Sequence, residues 1–226
     1  MTVLLLAPKV LRFLARHRWS VPLGLLSAGF FVKLAAELHE GELDGVDTAV
    51  ATSVVAWRGR CDGLMVFLTQ VGRGLSLTVI TVVAMAALVR ARRRREALFL
   101  AVSCGGAGLL NIALKLFFQR ARPDAAVEYL VRAPSSFSFP SGHAMGSAAV
   151  FASLAIVVQV LRSSQLQHIS AAVAAFVLAT SIGVSRIYLG VHFPSDVLGG
   201  QLAAAAWVSL VTGWFYPRLL PGETVS

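Results

Sequence analysis

Long runs of apolar residues constrain this chain more than any other feature. A helix needs about 20 predominantly apolar residues to cross the hydrocarbon core of a bilayer, with about 17 to 25 as the usual range. Six segments approach that length: Trp19 to Leu38, about Leu64 to Val89, Ala97 to Leu114, Ala144 to Leu161, Ile169 to Ser185, and Val197 to Tyr216. The last four contain no Lys, Arg, Asp or Glu, whereas the first is interrupted by Lys33 and Glu37 and the second by Gly72-Arg73-Gly74. Of the 226 residues 57% are hydrophobic and 14% charged, against roughly 45–50% and about 25% in soluble domains. A disordered or nucleic-acid-binding tail is excluded, and the long apolar runs argue against a water-soluble globule. The expected fold is all-α, a polytopic membrane protein with six transmembrane helices in a bundle, forming a single membrane-embedded domain over residues 1–226.

The formal charge of +9 would raise the question of nucleic acid in a soluble chain. Here the cations sit between apolar runs and are read as topology, with no nucleic-acid partner. With both termini cytoplasmic, six crossings put Lys9, Arg12, Arg16 and Arg18, the five arginines of 90–95, Arg162 and Arg218 on the inside, eleven of the 20 Lys and Arg. That orientation matches a plasma membrane protein with its other loops outside. Residues 1–18, whose charges follow the apolar Val3 to Leu6, are expected to form an amphipathic cytoplasmic segment. The outer loop from His39 to Arg60 carries Val46, Val50, Val54, Val55 and Trp57 at roughly helical spacing, as an interfacial helix or a cover on the bundle would. Cys61 and Cys104 are too few for a disulfide framework.

This topology sends three strings to one outer face: Lys115 through Arg122-Pro123 (115–123), Pro140-Ser141-Gly142-His143 (140–143), and Ser185-Arg186 through His192 and Asp196 (185–196). Lys115, Arg122 and Arg186 supply three positive charges, two of them planar forks suited to phosphate oxygens. Ser141 and Gly142 stand just before an apolar helix, so free backbone N–H groups and the positive helix end point into the same space. Together these describe an anion site. Two histidines beside it are a nucleophile and an acid. Asp196 follows His192 by four residues, one turn if both are helical, with Pro194 suited to a first turn. A carboxylate on one ring nitrogen fixes the tautomer and frees the other. That nominates His192 as nucleophile and His143 as acid, although Asp196 also serves as a simple helix N-terminal charge.

The eleven specified positions of these three strings, in order and spacing, resemble the three-part phosphatase motif of the type 2 phosphatidic acid phosphatase (PAP2) family. The resemblance implies a metal-independent, cofactor-free membrane lipid phosphatase with a six-helix core. In it His192 forms a phosphohistidine, Asp196 orients it, and His143 protonates the leaving oxygen and then activates water. Lys115, Arg122, Ser141, Gly142 and Arg186 bind the phosphoryl group. The implied substrates are phosphatidic acid, phosphatidylglycerol phosphate and isoprenyl diphosphates such as undecaprenyl diphosphate. A lipid phosphotransferase and a non-enzymatic head-group-binding transporter are the rival functions. Arg73, Arg120 and Arg132 are read first as interfacial anchors, and second as cations for a diphosphate or polyanionic head group. Asn111, one turn before Lys115, is either a support for the site or a helix–helix hydrogen bond.

Overall fold

The computed structural model describes residues 20–123 and 135–219, with side chains through 215. The amphipathic segment expected at 1–18 and Arg132 lie outside the described residues. Among the described residues eight α-helices follow one another: α1 (Ser20–His39), α2 (Asp44–Val55), α3 (Asp62–Val71), α4 (Gly74–Arg90), α5 (Arg94–Phe118), α6 (Gly142–Leu161), α7 (Gln165–Tyr188) and α8 (Pro194–Leu219). No strand occurs among the described residues. Helices α1, α5, α6, α7 and α8 are each long and apolar enough to cross a membrane. The second apolar run is not the single helix its hydropathy predicts. It breaks at Gly72-Arg73 into α3 and α4, bent by 52°, and counts as a sixth span only if the pair is taken together. The charged and glycine residues at that point remove both apolar character and helix propensity, so the chain turns there.

Helix α6 is the hub, packed against α5, α7 and α8, while α1 lies along α8. Its buried residues are mostly small or polar, Ala144, Ser147, Ala149, Ser153 and Ala155 among them, opposite Ala203 and Ala204 of α8. Between membrane helices no hydrophobic driving force exists, and small side chains that let backbones approach supply the packing energy. The large apolar residues point the other way: Leu26, Val32, Leu75, Leu109, Leu116 and Phe176 are all exposed. Such a continuous apolar surface is stable in lipid and not in water. At the opposite end from the motif strings, Phe99, Leu100, Val157, Val211 and Phe215 close the core where α4 turns into α5 through the arginine run.

Helix α2 occupies the loop where hydropathy predicted a short helix. It leaves Val46 and Val50 exposed and inserts the carboxylate of Asp47 into the bundle. Lys33 and Glu37 pair at 3.5 Å on α1.

Candidate active site

The three motif strings meet at one end of the bundle because α5 and α7 end there and α6 and α8 begin there. Lys115 sits in the last turn of α5 and donates to the carbonyl oxygens of Phe137 and Ser138, the latter at 3.1 Å. Asn111, one turn earlier, donates to the carbonyl oxygen of Pro140 at 3.2 Å. It therefore ties α5 to the Pro140-Ser141 segment and supports the site. Ser141 is the N-cap of α6, its hydroxyl accepting from the Ala144 N–H, and its own N–H donates to the Asp196 carbonyl at 2.9 Å. A Cβ on Gly200 would lie 2.7 Å from the Ser141 carbonyl oxygen. Only glycine lets α8 come so close to the start of α6.

His192 is 2% exposed and Asp196 fully buried. Both are where spacing put them, but not on one helix. The chain turns through Gly190, at φ +69°, and α8 begins only at Pro194. His192 thus precedes the helix while Asp196 lies in its first turn. Asp196 reaches back to accept from the Phe193 N–H at 2.8 Å, as the acidic member of a capping box does. The same carboxylate oxygen lies 3.3 Å from Nδ1 of His192. One carboxylate thus caps the start of α8 and lies beside Nδ1 of His192.

Arg122 donates from Nη1 to the Val191 carbonyl oxygen at 2.7 Å and faces Nε2 of His192 at 3.0 Å. A guanidinium only donates, so Nε2 holds the lone pair and Nδ1 the proton. Burial holds the His192 imidazole down to about 3 from its ordinary 6.5, with Arg122 and Arg186 pushing the same way and Asp196 opposing. The ring is neutral at pH 7. Burial also lowers the Arg122 guanidinium, Asp196 acting against it. Arg186, 4% exposed, donates to the Thr69 hydroxyl of α3 and keeps its Nε buried without a partner. His143, in the first turn of α6, is within electrostatic reach of Arg186, His192, Arg122 and Arg73.

The match of residues 96–219 to the model of the PAP2 superfamily covers more than half the chain and all three strings. This chain belongs to the PAP2 superfamily. It is 35% identical over 187 residues to phosphatidylglycerophosphatase B of Bacillus subtilis, covering 82% of this chain and 91% of that one. It is 31% identical to the undecaprenyl-diphosphatase of Sulfolobus acidocaldarius, over 67% of this chain and 68% of that one. The crystal structure of the first transmembrane PAP2 type phosphatidylglycerolphosphate phosphatase from Bacillus subtilis superposes with a TM-score of 0.80 at 32% identity, covering 89% of this chain and 99% of that one. Family and relatives identify a multi-pass membrane lipid phosphatase.

Three polar residues at this PAP2 site were not singled out in the sequence. Ser138 has its hydroxyl 3.2 Å from Nδ1 of His192 and donates to Asp196. Thr69 anchors Arg186, and Asp47 enters from α2. Ser138 alone had a local signal, a serine two residues before Pro140. Of the extra arginines, Arg73 is exposed at the α3–α4 break and bonds Gln70 at 3.0 Å. Arg120 is neither an interfacial anchor nor a phosphate ligand. Its guanidinium turns to Asp47 and Asp196, at 2.8 Å each, because two buried carboxylates need a cation more than the lipid surface does.

Proposed function

We propose that this protein hydrolyses a lipid phosphate or diphosphate without metal, through a phosphohistidine on Nε2 of His192. The observation that carries the reading is the contact of Arg122 with that nitrogen, which puts the neutral lone pair of the ring among the cations. A phosphoryl group held by Lys115, Arg122, Arg186 and the N–H groups at the start of α6 has its phosphorus in front of Nε2. The Nε2–P bond forms as the P–O bond to the lipid breaks, and His143 gives a proton to the departing oxygen. His143 then takes a proton from water, whose oxygen attacks phosphorus and returns His192 to its starting state. Phosphoryl transfer asks mainly for positioning and charge stabilisation, which three cations and a helix N-terminus provide.

The site faces outward in this proposal. The arginines of 90–95 lie at the opposite end of α5 from Lys115, and basic loops mark the cytoplasmic side. Six crossings, counting α3 with α4 as one, then leave both termini inside and α2 at the outer interface. A lipid whose tail stays in the outer leaflet brings its head group to the cations. The names of the relatives favour phosphatidylglycerol phosphate and undecaprenyl diphosphate, with phosphatidic acid as the simplest test.

The experiment is phosphate release by purified protein in detergent with excess EDTA, for wild type and His192→Ala, on these three lipids in parallel. Release by wild type alone supports the histidine mechanism. Loss of release in EDTA, restored by one specific metal, overturns the metal-free step. Activity surviving in His192→Ala overturns the nucleophile, and transfer of phosphate to an added alcohol in place of release points to a phosphotransferase.

A further inference from the structure

Behind the His192 and Asp196 pair lies a second pair of opposite charges, a buried Asp47 and a partly buried Arg120. Arg120, following α5, donates from Nη1 to Oδ1 of Asp196 and to the Ser195 hydroxyl, at 2.8 and 2.7 Å, and from Nη2 to Oδ2 of Asp47 at 2.8 Å. Its guanidinium stacks over the Phe193 ring, 4.3 Å from the centroid. Asp47, on α2, is 2% exposed. It also accepts from the Ser195 N–H at 2.9 Å and from the Ser195 hydroxyl. One arginine is thus shared between two buried carboxylates, one of which faces the candidate nucleophile. Helix α2 lies outside residues 96–219, the part that matches the family model.

Charge decides what this arrangement does. Asp196 with Arg120 alone sums to zero, and a carboxylate so neutralised is a weaker acceptor for the Nδ1 proton. With Asp47 the buried part of the cluster carries one net negative charge, directed at a ring that becomes positive when Nε2 bonds to phosphorus; a third carboxylate, Asp44, lies 3.9 Å from Nη2 of Arg120 but is exposed and screened by solvent. We propose that Asp47 is a positioning residue for the phosphatase reaction, acting through Arg120 and Ser195 to keep Asp196 both oriented and effectively charged toward His192. The proposal rests on His192 being the nucleophile. Asp47 touches neither substrate nor the phosphate cations, so its contribution falls on the chemical step and not on binding.

The test compares wild type, Asp47→Asn, Asp47→Asn/Arg120→Gln and His192→Ala in detergent. It uses whichever of the three lipids is hydrolysed fastest, with orthovanadate as the probe of the phosphate pocket and a melting curve for each protein. In metal sites, removing a partner behind a ligating histidine costs about 10- to 100-fold, and an effect at the lower end of that scale is expected here. The expected result for Asp47→Asn is a kcat about tenfold lower, with KM and vanadate inhibition constant within twofold of wild type. The double variant, which restores the single net charge, recovers at least part of that loss. A buried carboxylate with a merely structural role gives no such recovery. The proposal is overturned by Asp47→Asn retaining kcat within twofold, by KM or the vanadate constant rising in parallel with the loss, or by a double variant no better than the single. If Asp47→Asn does not fold, the double variant decides alone: kcat within about tenfold of wild type at unchanged KM supports the proposal, and a raised KM overturns it. Activity in His192→Ala would instead remove the nucleophile on which this rests, whatever Asp47 does.

Discussion

Arg122 and His192 meet at 3.0 Å through Nη1 and Nε2, and that contact sets the tautomer from the substrate side as Asp196 sets it from behind. The same guanidinium also donates to the Ser136 hydroxyl at 3.1 Å and to the carbonyl oxygens of Ser136, Phe137 and Val191 at 2.7, 3.2 and 2.7 Å. Arg122 is therefore held as a fixed fork. Removing one preorganised donor from a site of developing charge costs about 10²–10³ in kcat, so Arg122→Ala should lose that much. Arg122→Lys should recover little, because an ammonium has three N–H groups where the guanidinium engages five acceptors, and only the N–H facing Nε2 of His192 is placed to turn to a phosphate oxygen. Steady-state kinetics on one lipid phosphate checks both.

The neutral state of His192 also has a consequence for stability. Its imidazole is held at about 3 in the folded protein, against 6.5 ordinarily. Between those values the unfolded chain binds a proton that the folded chain refuses, so this contribution is complete above pH 6.5 and is lost as pH falls toward 3. Melting midpoints measured from pH 7 to 4 should decline less steeply in His192→Asn than in wild type. Parallel slopes would mean that the ring is not held neutral by burial.

How far the sequence reached follows from the range of each contact. The meeting of Arg122 with His192 was legible because each lies in a string with its own spacing and the apolar runs bring the strings to one face. Asp196 was legible by its four-residue offset, although the offset spans a turn and not a helix. Thr69 with Arg186, Arg120 with Asp47, and Asp47 with Ser195 are joined across 117, 73 and 148 residues. No local pattern marks such pairs, and an arginine near a membrane surface looks alike whether it meets lipid or a buried carboxylate. The break between α3 and α4 was visible only as an interruption, since hydropathy counts apolar residues and not backbone direction.

Ser138 stands between the two residues it serves. Its hydroxyl donates to Asp196 and lies 3.2 Å from Nδ1 of His192, so Ser138→Ala leaves both with one partner fewer but still with each other. A loss of about 10- to 100-fold in kcat is expected, with KM unchanged, in line with a hydrogen bond to a charged group worth about 1.5–3 kcal/mol. Asp196→Asn should cost far more, about 10³–10⁴, because an amide can hold the wrong tautomer, as in the serine hydrolase triad. Equal losses in the two variants would place the orienting role on Ser138.

Packing at the site gives the last contrast, between two glycines of adjacent helices. Gly105 of α5 has no heavy atom within 4 Å of where a Cβ would stand. Gly105→Ala should leave melting midpoint and activity at wild-type values. In Gly200→Ala the new carbon would meet the Ser141 carbonyl oxygen at 2.7 Å and the Met145 backbone nitrogen at 3.0 Å. Both are backbone atoms, so no rotamer change relieves the clash and the start of α6 must move. Overpacking of this kind costs about 1–3 kcal/mol. It also displaces the N–H groups at the helix N-terminus to which the proposed mechanism assigns the phosphoryl group. Gly200→Ala is therefore expected to lower the melting midpoint and to weaken orthovanadate inhibition together. A variant that melts lower yet binds vanadate as wild type does would show that the start of α6 is not part of the anion site.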